Sequence, residues 1–131
     1  MPPVSVAFEN TFKLLKPGGV FIFTVPYVTE GLTTTEHFPE LYDFSLAETN
    51  EGWLLHNVTK DGTKQVYRDL IFHGGEGSTL ETRLFSLDSL LKEFENAGFK
   101  EVKICRESYA KYGITWDVDW SLPMVAKKGV L

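Results

Sequence analysis

Histidine is the side chain of this sequence best suited to move a proton near neutral pH, and it occurs at positions 37, 56 and 73. His37 lies in the polar and aromatic segment EHFPELYDF, where it could act as a general base or bind a substrate. The alternative is a histidine that is exposed to solvent or satisfied within a core. His56 and His73 fall on a predicted β-hairpin, in which a two-residue turn would place His56 opposite Tyr67. No third ligand has suitable spacing, so we expect no metal site.

The other chemically active side chains have plainer interpretations. Cys105 is the single cysteine, so an internal disulfide is excluded, and its position on a predicted strand is typical of an inert small hydrophobe. Asp117 and Asp119 alternate with apolar neighbours, which indicates a solvated face. Four nearby aromatic residues could line a substrate cavity, but we favour packing against the edge strands; they are Tyr109, Tyr112, Trp116 and Trp120. No catalytic residue is assigned.

Charge and composition exclude several classes of function. The net charge is −5, and no stretch gathers enough lysine and arginine to neutralise a run of phosphates, so we expect no nucleic-acid partner. The longest apolar run is far shorter than the roughly 20 residues that span a bilayer, and no signal peptide opens the chain, so no membrane partner is expected. A single cysteine fits a reducing compartment, which favours the cytoplasm. The 131 residues are predicted to form one domain.

The first part of the chain predicts a helix, a turn and a buried strand. Apolar residues recur at helical spacing from Val4 to Leu15, and Pro17-Gly18-Gly19 then stops the helix. The run from Val20 to Val25 is apolar at nearly every position, which predicts a strand covered on both faces. The segment from Thr29 to Asn50 is predicted to be a long loop, with a possible helical turn at 38–42.

The rest of the chain predicts further strands and one strongly marked helix. A β-hairpin is predicted at about 53–72 around Asp61-Gly62. The glycine cluster after it is interpreted as a flexible loop. Ser86 is the expected N-cap of an amphipathic helix that ends at Ala97-Gly98. Strands are predicted at Thr79–Phe85, Phe99–Arg106 and Leu122–Lys127.

Three segments of the sequence, taken in chain order, together resemble a known fold. LLKPGGVFIFTVP is similar to the helix, turn and fifth strand of class I S-adenosylmethionine-dependent methyltransferases, and FSLDSLLKEFENAGFKEVKI to the next helix and sixth strand. The closing LPMVAKK resembles the seventh strand, which in that family lies antiparallel between strands five and six. The resemblance implies an α/β fold, a partial Rossmann-like methyltransferase sheet with an added hairpin at about 53–72. It implies that residues 1–131 are the C-terminal half of that fold.

The resemblance also implies an activity: methyl transfer from S-adenosylmethionine to a small-molecule acceptor. The strand, Gly-rich loop and helix that bind the cofactor in that family are not found in this sequence, so we expect this chain alone to be inactive and to lack the cofactor site. Tyr27, directly after the predicted strand, falls where the resemblance places the mouth of the active site; the alternative is an aromatic residue packed under a loop. We therefore name Tyr27 and His37 as candidate substrate-binding residues. The alternative function is a non-enzymatic remnant, or a binding or structural module.

The expected sheet would be covered on one face only. Right-handed crossovers place both predicted helices on the same face, which leaves apolar residues of the 20–25 strand bare. Each such side chain, when buried, contributes roughly 1.5–3 kcal/mol, so its exposure is costly for a domain that is stable by about 5–15 kcal/mol. The free edge of this strand is also a template for another chain. We therefore expect either a homodimer or association with a missing N-terminal half.

Overall fold

The computed structural model describes residues 3–31 and 33–130, and this part of the chain is a mixed α/β structure. The helices and strands, in chain order, are α1 (Val4–Leu14), β1 (Val20–Phe23), β2 (Tyr27–Val28), β3 (Thr35–Glu36), β4 (Asp43–Thr49), β5 (Gly52–Val58), β6 (Lys64–Tyr67), β7 (Phe72–His73), β8 (Thr79–Leu80), β9 (Arg83–Ser86), α2 (Leu87–Ala97), β10 (Glu101–Ile104) and β11 (Met124–Lys127). A 3₁₀ turn spans Ala110–Tyr112. Within the described ranges, neither α-helix is long and apolar enough to cross a lipid bilayer.

The described residues divide into two compact units. Residues 35–84 form the first, which we call the β unit. Residues 3–31, 33, 34 and 85–130 form the second, the sheet–helix unit. Strand β9 crosses the boundary: Arg83 and Leu84 pair with β3 in antiparallel fashion, and Phe85 and Ser86 pair with β2 in parallel.

The sheet–helix unit contains a three-stranded sheet in the order β1-β11-β10. Strand β11 is antiparallel to both neighbours, with Met124 opposite Phe23 on one side and Ile104 on the other. Because β11 opposes both, β1 and β10 run parallel to each other. The alternating sequence of residues 99–106 predicts a strand near a sheet edge, and β10 has that position.

Both helices cover one face of this sheet through a cluster of phenylalanines. Phe8 of α1 meets Phe94 of α2 edge to face, with ring centroids 4.9 Å apart. Phe23 of β1 lies 5.6 Å from the Phe8 ring and 5.9 Å from the Phe94 ring. Such pairs add about 0.5–1.5 kcal/mol to the free energy of burial. The prediction that both helices share a face is confirmed.

Helix α2 begins and ends where its capping residues predict. The Ser86 hydroxyl oxygen accepts a hydrogen bond from the Ser89 backbone N–H at 3.1 Å. Gly98 has φ = 104° and donates its N–H to the Glu95 carbonyl, so the helix ends in a left-handed glycine. Asp88 in the first turn complements the positive end of the helix dipole. Local sequence therefore determines both ends of this helix.

The opposite face of β1 is bare in the described structure. Phe21 and Phe23 pack into the core, whereas Val20 is 47% exposed and Ile22 is 71% exposed. Burial on both faces, predicted from the continuous apolar run, is therefore not found, and the strand ends at Phe23 instead of Val25. The expectation of one bare apolar face is confirmed. Among the described strands only β11 pairs with β1, so the other edge of β1 is open.

The β unit is built on a second antiparallel sheet in the order β4-β5-β6. The predicted hairpin at 53–72 is confirmed by the pairing of β5 with β6. The prediction of a loop from Thr29 to Asn50 is wrong, because Asp43–Thr49 pairs along its whole length with β5. At 38–42 the chain makes a turn closed by a 3.1 Å bond from the Leu41 N–H to the Phe38 carbonyl. Leu55, Phe38 and Leu41 form the core of this unit.

The hairpin turn is one residue longer than its Asp-Gly sequence predicts. The Thr59 N–H bonds the Thr63 carbonyl at 2.9 Å, which leaves the three residues 60–62 as the loop, with Gly62 at φ = 90°. A carboxylate oxygen of Asp61 accepts the Thr63 N–H at 3.1 Å and also contacts the Thr59 hydroxyl. These side-chain bonds favour the three-residue turn, and the register of the hairpin moves by one residue.

Candidate functional site

The β unit holds a largely, but not fully, buried carboxylate between two histidines. His37 Nε2 lies 2.8 Å from Glu81 Oε1, and His73 Nε2 lies 2.6 Å from Glu81 Oε2. The Glu81 side chain is only 9% exposed, whereas His37 is 26% exposed and His73 is still more open to solvent. Each carboxylate oxygen is thus bound by one imidazole, and we call these three residues the His–Glu–His cluster.

Short strands bring the three side chains together. His73 ends β7, which pairs with β8, and Glu81 follows β8 directly and donates its N–H to the Ile71 carbonyl at 2.8 Å. His37 follows β3 and donates its N–H to the Thr82 carbonyl at 3.1 Å. Each of the three residues is therefore fixed by backbone hydrogen bonds to a neighbouring segment.

The glycine cluster at 74–77 makes the connection from β7 to β8. Gly74, Gly75 and Gly77 all have positive φ, a backbone conformation that residues with a Cβ rarely adopt. A Cβ at Gly77 would also clash with the indole ring of Trp53. The cluster therefore has a structural role, the tight return that brings Glu81 back to His73.

Electrostatics keep the Glu81 carboxyl ionised. Burial by itself raises its pKa, but the hydrogen bonds and charges of His73 and His37 outweigh burial and lower the pKa below the ordinary value. An ionised carboxylate only accepts hydrogen bonds, so each Nε2 carries the proton. In each neutral ring the remaining nitrogen, Nδ1, is then the basic atom.

The cluster is not arranged as a metal site. No group of three or more histidine, cysteine or acidic side chains in the described ranges converges on a point where an ion could bind. His56 is outside the cluster. It pairs with Val66 across the hairpin, so the prediction that it faces Tyr67 is wrong, and the cause is the longer turn.

Tyr27 lies in the sheet–helix unit and is 1% exposed. It begins β2, shortly after β1 ends, and its backbone N–H donates to the Trp120 carbonyl at 2.8 Å. Its hydroxyl oxygen is buried and has no hydrogen-bond partner among the described residues. Burial raises the pKa of the Tyr27 phenol; the Arg106 guanidinium opposes this rise, the Asp119 carboxylate adds to it, and the nearby Leu122 backbone weakly opposes it. An unpaired buried hydroxyl costs about 1–3 kcal/mol.

The charged neighbours of Tyr27 also line a cavity of about 360 Å³ that is wide open to solvent and that Tyr27 itself does not line. Its walls are formed by Arg106, Trp116, Asp117, Val118, Asp119 and Leu122. The sequence indicates a solvated face for Asp117 and Asp119, and both side chains are exposed. The sequence did not indicate that the Asp119 carboxylate would raise the pKa of Tyr27.

The remaining candidates have simple surroundings. Cys105 is a free, half-buried cysteine one residue beyond β10, and its N–H donates to the Pro123 carbonyl at 2.8 Å. Tyr109, Tyr112 and Trp120 are exposed, so the interpretation that they pack in the core is wrong. They lie in a segment that contains a 3₁₀ turn and one isolated β-bridge, so little regular secondary structure surrounds these side chains.

The two candidate residues, Tyr27 and His37, belong to different units, and each has its own chemical surroundings. Sequence reasoning missed Glu81 as the partner of His37. A signal was present: His73 and Glu81 flank a glycine-rich stretch that can fold back as a hairpin. In comparisons with known proteins, no family model and no curated sequence matches this chain.

Proposed function

We propose that this chain is the acceptor-binding half of an S-adenosylmethionine-dependent methyltransferase with a Rossmann-like sheet. In this proposal a cofactor-binding half, supplied by another segment or chain, provides S-adenosylmethionine. The present chain contributes the last strands of the sheet and the site for a small-molecule acceptor. We also propose a cytoplasmic location, which is supported by the single cysteine.

One observation carries this proposal, the position of the C-terminal strand. Strand β11 lies between β1 and β10 and is antiparallel to both. The resemblance implies this order, because the family inserts its seventh strand antiparallel between the fifth and sixth. The observed order and strand directions match this implied arrangement strand for strand. This match therefore supports the assignment of β1, β10 and β11 to those three strands.

The surroundings of Tyr27 support an acceptor site. Ligands of open α/β sheets bind beyond the carboxyl ends of the strands, and Tyr27 lies just past that end of β1. Its unpaired hydroxyl lies near Arg106 and Asp119, which line the 360 Å³ cavity. An acceptor in this cavity would contact Arg106 and Asp119, the charged neighbours of the buried Tyr27. In methyl transfer the protein mainly aligns the nucleophile with the methyl group, so positioning of this kind contributes directly to the rate.

The open edge of β1 supports association with the cofactor-binding half. Val20 and Ile22 are exposed on an apolar face, and the strand edge beside them has no partner among the described strands. In the family the fourth strand, which belongs to the cofactor-binding half, pairs with the fifth. Backbone pairing with that strand would satisfy the edge, and a covering helix would bury the two side chains.

The proposal is tested by calorimetric titration with S-adenosylmethionine and S-adenosylhomocysteine, with sedimentation on the same samples. The titrated samples are this chain alone and the chain mixed with the separately produced cofactor-binding half, strands one to four, of a class I methyltransferase. We expect no saturable binding by the chain alone, and a two-chain complex that binds both ligands at micromolar concentration. Ile22→Asp should abolish the complex. Val66→Asp, at an exposed apolar residue of β6, is the matched control and should leave the complex intact.

Three results would contradict the proposal. A compact monomer that binds S-adenosylmethionine by itself would show that the chain is no half-site. Failure of cofactor-binding halves from several class I enzymes to form a complex would instead favour a non-enzymatic binding module. A homodimer that is broken by Ile22→Asp would identify a second copy as the partner of β1.

A further inference from the structure

The β unit contains a small cavity beside the His–Glu–His cluster. Its volume is about 180 Å³. Phe38, Tyr67, Leu70 and Ile71 form its apolar walls, and the rings of Phe38 and Tyr67 meet edge to face with centroids 4.9 Å apart. An apolar protein cavity of about 150 Å³ holds a benzene molecule. This cavity therefore has the size and walls for a single aromatic ring.

The polar part of the wall is formed by His37 and Glu81. His37 donates its Nε2–H to the carboxylate, which fixes the ring and its tautomer. Among the described residues nothing bonds the other ring nitrogen, so Nδ1 of His37 is left with a free lone pair. A carboxylate that holds an imidazole in this way also stabilises the imidazolium formed when Nδ1 takes a proton.

Three further charged or titratable groups are near. Arg68 and Asp69 line the same cavity, and His73 binds the second oxygen of Glu81. Asp69 has φ = 54°, a left-handed conformation that aspartate tolerates better than most residues. The Arg68 guanidinium is largely exposed and lies 3.6 Å from the Glu51 carboxylate, and Asp69 carries the opposite charge, so this pair gives the cavity little net attraction for an anion. The fixed polar pair at this site is thus His37 with Glu81.

We propose that this cavity binds a small aromatic compound with an acidic hydroxyl group and that His37 removes the hydroxyl proton. The O–H bond of the ligand breaks, an N–H bond forms at Nδ1 of His37, and the electron pair stays on the ligand oxygen as a phenolate. The new imidazolium is balanced by the Glu81 carboxylate. His37 is then a proton acceptor that touches the ligand, and Glu81 is a positioning residue. The inference goes beyond the proposed function, because this cavity belongs to the β unit and its ligand is distinct from the acceptor proposed beside Tyr27.

The test uses 4-nitrophenol, which absorbs visible light only as the phenolate, and 4-nitroanisole, the same molecule with the proton replaced by a methyl group. The full chain is titrated with each probe at a pH where free 4-nitrophenol is mostly neutral. We expect saturable binding of 4-nitrophenol with growth of the visible band. We expect weaker binding of 4-nitroanisole, which has no proton to give. In parallel, nitrogen NMR of the wild-type chain should show that Nδ1 of His37 gains a proton when 4-nitrophenol binds.

Two variants and a control assign the proton acceptor. His37→Asn should abolish the visible band. Glu81→Gln keeps the shape but removes the countercharge, so the ratio of ionised to neutral bound probe should fall about tenfold or more, since a close opposite charge shifts a pKa by about 1–3 units. His56→Asn replaces an exposed histidine on β5 and should leave both binding and ionisation unchanged.

Several outcomes would overturn the proposal. It fails if 4-nitrophenol does not bind saturably, if it binds without ionising, or if His37→Asn ionises it as well as the wild type does. Equal affinity for 4-nitroanisole would show that the hydroxyl plays no part. The NMR measurement is made on the wild-type chain, so it decides the role of His37 even if a variant fails to fold. None of these readouts needs S-adenosylmethionine, so failure here is distinguishable from failure of the methyltransferase proposal.

Discussion

Asn57 provides the sharpest test of how the β unit holds the turn that follows His37 and Phe38. The side chain is buried on β5 and makes three hydrogen bonds. Its carbonyl oxygen accepts the Tyr42 N–H at 2.9 Å, and its amide nitrogen donates to the Glu40 carbonyl at 3.0 Å and to Gln65 Oε1 at 2.8 Å. Two of the three bonds therefore tie β5 to the turn that follows His37 and Phe38.

The cost of Asn57→Ala follows from these bonds. Gln65 Oε1 keeps a partner, because the Tyr67 hydroxyl also donates to it at 3.1 Å. The Tyr42 N–H and the Glu40 carbonyl lose theirs, and each costs about 1 kcal/mol if water replaces the amide and up to about 3 kcal/mol if it does not. Since both residues lie near solvent, we expect a loss of about 2–4 kcal/mol in the free energy of unfolding of the β unit. That is a large share of the roughly 5–15 kcal/mol of a whole domain.

Asn57→Asp gives a signature in pH that Asn57→Ala lacks. Aspartate keeps the bond from the Tyr42 N–H but points a charge at the Glu40 carbonyl and Gln65 Oε1. Burial and these acceptors favour the protonated acid in the folded state, so its folded pKa should be raised. The penalty is then full above that pKa and shrinks as the pH falls through it, because the folded state binds the proton more tightly.

Amide hydrogen exchange measures both effects in the right part of the molecule. The protection of β5 and β6 amides against exchange should fall in both variants. The difference in protection between Asn57→Asp and Asn57→Ala should become smaller as the pH is lowered. A loss below about 0.5 kcal/mol for Asn57→Ala, the size of an ordinary surface substitution, would refute the argument that these bonds hold the turn. So would a pH-independent difference between the two variants.

The remaining predictions concern pH, the core and the glycine return. Because the folded pKa of Glu81 is lowered, the wild type should be more stable than Glu81→Gln above the ordinary carboxyl pKa of 4.5, and this advantage should vanish as the pH falls through the folded pKa. Urea titrations at several pH values would measure the advantage. An advantage that persists in acid would contradict the prediction. Phe94→Ala should cost about 3–5 kcal/mol by amide exchange in α2, whereas little change would mean the phenylalanine cluster repacks freely. Gly77→Ala should destabilise the β unit in urea by more than Gly75→Ala, because both have positive φ but only Gly77 lies against Trp53, and equal effects would show that the indole moves away easily.

The parts of the fold that were predicted from sequence are those determined locally. The caps of α2, Ser86 and Gly98, act within one turn of the helix they bound, so their types alone indicate its ends. The bare face of β1 was predicted from the length of the apolar run and from the placement of both helices on one side of the sheet. Neither prediction needed a distant contact.

The parts that were missed depend on partners distant in sequence or on side-chain detail. In strand β4 buried and exposed residues alternate only weakly, and the first three residues are exposed. The segment becomes a strand because it pairs with β5. The hairpin register changed because Asp61 and Thr59 bond within the turn. For the site, His37 was recognised as a candidate by its chemistry, but Glu81 lies 44 residues away and meets it only through the folding of three short strands.

The pairing of β9 makes the β unit a self-closing insertion. Thr35 and Leu84, its first and last residues, are direct partners, so the segment leaves and rejoins the rest of the chain at one point. Val28 and Ser86 are likewise partners in the sheet–helix unit. A segment whose ends coincide can be lengthened, shortened or exchanged without displacing what precedes and follows it. In evolutionary terms, residues 35–84 can change in length or sequence as a unit while the phenylalanine core and the cap of α2 stay as they are.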